Sequence, residues 1–212
     1  MEAVYSFALL AITSFFTIMN PIGTMPVFMS MTSELDPIRK KRTARKAVIV
    51  AFFTVLFFAF TGQILFKFFG ISVNSLRVVG GIIFFVIGQD MLHARLGAIK
   101  FSGKESEINA YVDDISVTPL GIPMICGPGA ITNGIVLMED ANSLPKKLVL
   151  ILSVALVLLA TYIILVSSAR ISKRIGDTGN KVLMRLMGLI VMVIAVEFFF
   201  SGLKPILADL FT

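Results

Sequence analysis

The sequence predicts an all-α membrane protein whose six transmembrane helices form two inverted three-helix repeats, with the first and fourth helices broken. Three observations predict this fold class: an apolar composition, charge-free runs that can cross a bilayer, and two Gly/Pro clusters at matching places in the two halves. Of the 212 residues, 57% are hydrophobic and 15% are charged, whereas soluble domains carry about 25% charged residues. Lipid is therefore the expected solvent for most of the chain.

Four charge-free runs of roughly 20 residues or more predict the first, second, fourth and fifth spans. These runs are residues 3–33, 47–66, 115–138 and 148–169. Two shorter runs, 78–89 and 186–196, predict the third and sixth spans once neighbouring charged residues are included. We therefore expect a multi-pass protein of the cell membrane, meaning the plasma or inner membrane.

The positive charges predict the orientation of these spans. Of the 19 Lys and Arg residues, fourteen fall in the predicted loops on one side and five on the other, so both termini are expected outside. The long connection at residues 96–116 then lies in the cytoplasm as a solvated linker. It separates a first three-helix repeat, residues 1–95, from a second, inverted repeat, residues 117–212.

Two pairs of segments indicate the duplication. Arg77, Gly80 and Gln89 in the third span recur as Arg185, Gly188 and Glu197 in the sixth, at a constant offset of 108 residues (185 minus 77). Residues 20–24 and 127–131 match at nearly the same offset. Because three crossings are an odd number, the second copy enters the membrane from the opposite side, which is a transporter architecture.

The two Gly/Pro clusters predict breaks near the bilayer centre, because Pro removes an amide donor and Gly tolerates unwound backbone. Lipid cannot satisfy the freed backbone groups, so they face protein, water or a ligand. Amides after each break favour a carboxylate, and carbonyls before it favour an ammonium or a metal cation, which together suit a zwitterion. The predicted substrate-binding residues are Asn20, Pro21, Gly23 and Thr24 at the first break, and Gly127, Pro128, Gly129, Ala130, Thr132 and Asn133 at the second.

Glu197 is the acidic residue predicted inside a span, where an ionised side chain is costly. Two interpretations stay open: a proton carrier or cation ligand that couples transport to H+ or Na+, or a neutral acid hydrogen-bonded to a neighbouring helix. Its partner in the first repeat is Gln89, with Asp90 beside it. These three residues are the predicted coupling group.

Composition argues against several function classes. One Cys and one His exclude a disulfide framework, a thiolate cluster and a multi-His metal site, so we expect no cofactor and no bound metal. Few titratable groups converge, so we predict no catalytic residue and no enzyme. The basic residues stand in short runs between apolar spans, so nucleic acid is not an expected partner. The expected surroundings are the lipid bilayer, and a homo-oligomer is compatible with the sequence.

Three strings resemble the signature segments of the MarC family of integral membrane proteins: residues 20–28, residues 119–131 and residues 185–190. The resemblance covers essentially the whole chain. It implies a secondary transporter of small neutral amino acids, such as glycine, alanine or serine. The alternatives are a channel or exporter for other small solutes, or a membrane subunit without a transport activity.

Overall fold

The computed structural model describes residues 2–93 and 105–210, with side chains described throughout this range except at 169–177, 180, 181, 209 and 210. Of the described residues, 92% are helical and none forms a strand, which confirms the all-α prediction. In the first half of the chain the helices are α1 (Glu2–Met19), α2 (Pro21–Met31), α3 (Pro37–Phe69) and α4 (Val73–Leu92). In the second half they are α5 (Glu105–Ile115), α6 (Pro128–Asp140) and α7 (Leu144–Leu210).

Between α5 and α6 the chain forms wide, irregular helical turns over Ser116–Ile125, which we call the proline segment. Thr118 and Ile122 have extended backbone angles there, and each precedes a proline in a cis peptide bond. An extended residue before proline is expected, because the proline ring disfavours the helical conformation of the residue in front of it. The fourth span is therefore irregular well before its bend.

Five helical stretches are long and apolar enough to cross a membrane: Glu2–Met31, Pro37–Phe69, Val73–Leu92, Leu144–Ser168 and Val182–Ala208. A sixth is obtained when Glu105–Ile125 and Pro128–Asp140, which are bent by 61°, are counted as one span. These positions agree with the six predicted spans. The 67 residues of α7 amount to about 100 Å of helix, three times the hydrocarbon core, and its two apolar stretches account for two spans.

The outer face of α3 shows how such a span meets lipid. Large apolar side chains recur every three or four residues along it and are 45–81% exposed: Ile49, Phe53, Phe57, Phe60, Ile64 and Phe68. On the opposite face, small residues such as Ala47, Ala51 and Val55 are buried against the rest of the bundle. The helix thus presents its bulk to the bilayer and its small side chains to its neighbours, as is common in membrane helix packing.

α4 packs antiparallel on the second span of α7 through small residues spaced seven apart. A Cβ on Gly81 would lie 2.7 Å from the Ala195 carbonyl oxygen, and one on Gly88 would lie 2.9 Å from the Gly188 carbonyl oxygen. One step further, Gly202 lies against the backbone of Asn74. Each step of seven residues along α4 is matched by seven in the reverse direction along α7. We call these contacts the glycine ladder, and they let the two backbones approach closely.

Ion pairs hold α5 against the start of α3. Asp113 pairs with Lys46 and lies 3.7 Å from Arg42, while Arg39 lies 3.4 Å from Glu105. The apolar face of α5 is buried, with Val112 fully inaccessible. Residues 105–115 of the predicted linker are therefore a packed helix rather than a solvated connection. The part of that prediction that falls on residues 96–104 lies outside the described residues.

Asp36 begins α3. Its carboxylate accepts hydrogen bonds at 2.9 Å from the backbone N–H groups of Ile38 and Arg39. The hydrogen bond from the Arg39 N–H is the main reason why the pKa of Asp36 lies below its usual value. The Arg39 guanidinium, 2.9 Å away, lowers this pKa further. An ionised carboxylate at the positive end of a helix stabilises its first turn.

Candidate functional site

The first break is a single residue, Asn20. Its backbone is left-handed, at φ 42° and ψ 66°, and its side-chain oxygen accepts a hydrogen bond of 3.0 Å from the Gly23 N–H. Its carbonyl oxygen accepts from both the Thr24 N–H, at 3.1 Å, and the Thr24 hydroxyl, at 3.2 Å. The helix therefore restarts at once at Pro21, because Asn20 itself caps the new first turn.

Two prolines free carbonyl groups at this break. Pro21 and Pro26 have no N–H, so the carbonyls of Thr17 and Ile22, four residues earlier, lack the amide donor that a regular helix supplies. Thr17 and Ile22 both line the cavity described below. Thr17 lies in the last turn of α1, where the helix dipole adds partial negative charge to the carbonyl, whereas Ile22 lies in the first turn of α2. Both carbonyl oxygens can accept from a cationic ligand atom, because the prolines remove their amide donors.

The second break differs from the first. α6 begins at Pro128 after Gly127, and because Gly127 has no side chain, no side-chain group caps the first turn. The N–H groups of Gly129 and Ala130 in this turn are therefore donors suited to an anionic group. The hydroxyl of Thr132, a residue only 7% exposed, has no hydrogen-bond partner among the described residues. The second break therefore has more polar groups without a side-chain hydrogen-bond partner than the first break, where Asn20 caps the helix.

A cavity of about 400 Å³ lies beside the first break, where α1 and α2 meet the second span of α7. Residues of the first break, α4, the proline segment and α7 line it. They are Thr17, Ile18, Met19, Asn20, Ile22, Gly23, Thr24, Phe84, Met124, Met187, Ile190, Val191, Ile194 and Phe198. No ionisable side chain is among them. Its volume falls within the range of about 300–1,000 Å³ that is typical of small-ligand sites.

Three of the predicted substrate-binding residues, Asn20, Gly23 and Thr24, line this cavity, and Pro21 is buried beside it. None of the six residues predicted at the second break lines it. Asn133 instead donates a hydrogen bond of 3.0 Å to the Ser14 hydroxyl and so joins α6 to α1.

The second break nevertheless lies directly behind the cavity wall. A Cβ on Gly129 would stand 2.8 Å from the ring of Phe198 and 2.9 Å from the Ile18 side chain, both of which line the cavity. Pro128 contacts Gly80 of α4. The fold thus brings the two breaks close together, and the side chains of Ile18 and Phe198 separate Gly129 from the cavity.

The three predicted coupling residues do not line the cavity. Glu197 immediately precedes the cavity-lining Phe198 in the sequence but is exposed, and Gln89 is exposed near the end of α4. The Gln89 carbonyl accepts a hydrogen bond of 3.1 Å from the His93 N–H, and Asp90 is half-buried. Their coupling role stays a prediction. Within residues 2–93 and 105–210, no three His, Cys, Asp or Glu side chains are grouped to hold a metal ion.

The largest group of cavity-lining residues that sequence reasoning missed is on α7. They occupy one helical face at a spacing of three or four residues: Met187, Ile190, Val191, Ile194 and Phe198. This spacing is visible in the sequence, but a lipid-facing stripe has the same spacing, so periodicity alone does not distinguish the two.

Comparison with known proteins now identifies the family. A family model described as "MarC family integral membrane protein" matches residues 5–207. The chain belongs to the MarC family. Its relatives include a UPF0056 membrane protein of Methanocaldococcus jannaschii, 38% identical over 92% of this chain and 95% of the relative. The UPF0056 membrane protein YvbG of Bacillus subtilis is 37% identical over 94% and 95%, and YhcE of Escherichia coli is 31% identical over 92% and 91%.

No solved structure matches the chain. The family and the helical spans together make this MarC-family chain a multi-pass integral membrane protein. The resemblance seen in the sequence segments is thereby confirmed at the level of the family.

Proposed function

We propose that this MarC-family protein is a secondary transporter of small neutral amino acids, such as glycine, alanine and serine, in the cell membrane. The observation that carries the proposal is the cavity at the first break, which has polar groups on one side and no ionisable side chain in its lining. A neutral amino acid carries two opposite charges on its backbone and none on its side chain, so it needs paired partial charges rather than an ionised residue. The sequence also resembles the archaeal family member called SnatA, a small neutral amino acid transporter.

The two ends of the substrate have separate partners in this proposal. The ammonium group binds the Thr17 and Ile22 carbonyls, which the prolines deprive of their helical donors. The carboxylate accepts hydrogen bonds from the Asn20 side-chain amide, and from the Gly129 and Ala130 amides when the second break approaches the cavity. A coupling Na+ would use the same kind of carbonyl, whereas coupled H+ would use Glu197.

The proposed transport mechanism is alternating access by two inverted repeats, residues 1–95 and 117–212. The offset of 108 residues between Gly80 and Gly188 (188 minus 80), and between Gln89 and Glu197 (197 minus 89), supports it. The helices that carry these pairs, α4 and the second span of α7, lie antiparallel against each other. Antiparallel packing is the arrangement expected of equivalent helices in inverted repeats. A cell-membrane location with both termini outside completes the proposal.

Ligand binding to the purified protein tests this function. Radiolabelled glycine and alanine are expected to bind saturably, and Ile194→Trp, which fills the cavity, is expected to abolish binding. Val193→Trp is the matched control, because Val193 is the neighbouring residue on α7 and is 63% exposed. Absence of saturable binding for every neutral amino acid would refute the proposal, and so would loss of binding in both variants without loss of folding.

A further inference from the structure

We infer that the cavity at the first break binds neutral amino acids with leucine- or methionine-sized side chains more tightly than glycine or alanine. The inference rests on the proposed function, because it concerns the same cavity and names the substrate class that fits it best. It goes further by assigning the apolar part of the cavity to the side chain of the substrate.

The polar and apolar groups of the cavity lie on different walls. All of the polar lining side chains, Thr17, Asn20 and Thr24, lie at the first break or within four residues of it. The walls contributed by α4, the proline segment and α7 contain only apolar side chains. A ligand that satisfies both parts has a polar head beside the first break and an apolar body directed at the other walls.

The volume of the cavity favours a body of several carbon atoms. The whole cavity has a volume of about 400 Å³. Glycine has no side chain, so it would occupy only the polar part of this volume. Leucine and methionine each add four side-chain heavy atoms, which would contact the apolar walls. Transfer of apolar groups out of water strengthens binding by about fourfold per methylene group.

Three methionines give the lining of the cavity an adaptable shape. Met19 and Met124 are 1% and 8% exposed, and Met187 is half-buried, so their side chains are held inside the protein. An unbranched thioether can change rotamer to follow different ligand shapes. Branched and unbranched aliphatic side chains of similar size are therefore both expected to bind.

Phe198 sets the limit of the cavity on one side. The Phe198 ring packs edge-to-face on Phe84, with centroids 6.0 Å apart. Gly129 contacts the Phe198 ring from the side away from the cavity. Because a Cβ on Gly129 would stand 2.8 Å from this ring, Gly129→Ala should press Phe198 towards the cavity. Gly129 is thus a positioning residue that keeps room for the substrate side chain.

Competition binding to the full chain in lipid nanodiscs tests the inference. Radiolabelled alanine is displaced by unlabelled glycine, alanine, 2-aminobutyrate, norvaline, leucine and methionine. The inhibition constant is expected to fall with each added carbon, so that leucine binds at least about tenfold more tightly than alanine. Isocaproate and isoamylamine, which have the leucine body but lack part of the head, are expected to compete weakly.

The outcomes separate this inference from the proposed function. If glycine and alanine bind as tightly as leucine, the inference is wrong while the proposed function stands. If no neutral amino acid binds, both are wrong. If isocaproate or isoamylamine competes as well as leucine, the cavity is an unselective apolar site and the inference is again overturned.

A variant pair tests the role of the cavity size directly. Gly129→Ala is expected to weaken leucine binding at least about fivefold more than alanine binding. Gly134→Ala, a glycine on the same helix whose added Cβ would meet Val55 at 3.3 Å, is expected to leave the leucine-to-alanine ratio unchanged. An unchanged ratio in Gly129→Ala would contradict the assignment of the apolar walls to the substrate side chain.

Discussion

At the scale of single residues, Asn20 performs two tasks that few side chains combine. Its left-handed backbone costs most L-residues about 1–2 kcal/mol, and Asn tolerates it better than most. Its side-chain oxygen also caps the Gly23 amide, which opens the first turn of α2. The break is therefore a stable local structure at a residue that also lines the cavity.

Substitutions of Asn20 separate these two tasks. Asn20→Ala should lower the free energy of unfolding by about 2 kcal/mol, because it loses the cap and keeps the backbone strain. Asn20→Gly should lower it by less than about 1 kcal/mol, because glycine adopts φ 42° without strain. Thermal unfolding in one detergent measures the order. Asn20→Ala as stable as the wild type would show that neither effect operates.

The first break also shows how far the sequence can predict a site. Asn20, Pro21 and Gly23 predict an interruption from composition alone, and the interruption is present. The immediate restart of the helix at Pro21 was not predictable in this way. It depends on the handedness of the Asn20 backbone and the direction of its side chain, which residue types do not specify.

At the scale of helices, the glycine ladder determines how α4 meets the second span of α7. Gly81 and Gly88 have no side chain that could hold the partner away, and Ala195 and Gly188 opposite them are equally small. Close approach increases dispersion contacts along the whole length of both helices, which is a main source of helix association in lipid. The sequence shows these small residues, but not that they face one another.

A larger residue in the ladder should separate the two helices. Gly88→Leu should destabilise the protein by about 1–3 kcal/mol, since even a Cβ would stand 2.6 Å from Met192 and 2.9 Å from the Gly188 backbone. Val86→Leu on the same helix is the control, because Val86 is 52% exposed. Unfolding midpoints of both variants in nanodiscs measure the difference. Equal midpoints would mean that the ladder contributes little.

The packing of helix α5 could not be predicted from the sequence. Its acidic residues resemble those of a solvated linker, and the sequence prediction treats them so. In the structure, Asp113 pairs with Lys46 and Arg42, residues 67 and 71 positions earlier (113 minus 46 and 113 minus 42), and Val112 is buried. Such long-range partners are invisible to local composition. The α7 residues that line the cavity could not be predicted either, because side chains that face a cavity and side chains that face lipid are both apolar.

At the scale of the whole molecule, the spans determine which ends share a side of the membrane. Glu34 follows the first span and Asn142 follows the fourth, so three crossings separate them. Both residues are exposed, whereas Cys126, the one cysteine of the chain, is buried. The positions and number of spans follow from apolar runs, which is why the sequence predicts them well.

Single cysteines at these two positions test the orientation. In a Cys126→Ser background, Asn142→Cys should react with a membrane-impermeant maleimide on intact cells, and Glu34→Cys should react only after permeabilisation. The reverse pattern would place both termini inside. Reaction of both residues on intact cells would contradict the three intervening spans.

The seven-residue registration of the glycine ladder has a mechanical consequence for any change in access to the cavity. A slide of α4 along α7 by three or four residues would bring Phe84 or Phe85 opposite Ala195, to a position that the absent side chain of Gly81 leaves open. The close fit therefore opposes sliding of α4 along α7. For the proposed transport cycle, we therefore expect access to the cavity to change by tilting of the broken spans at Asn20 and at the bend before Pro128.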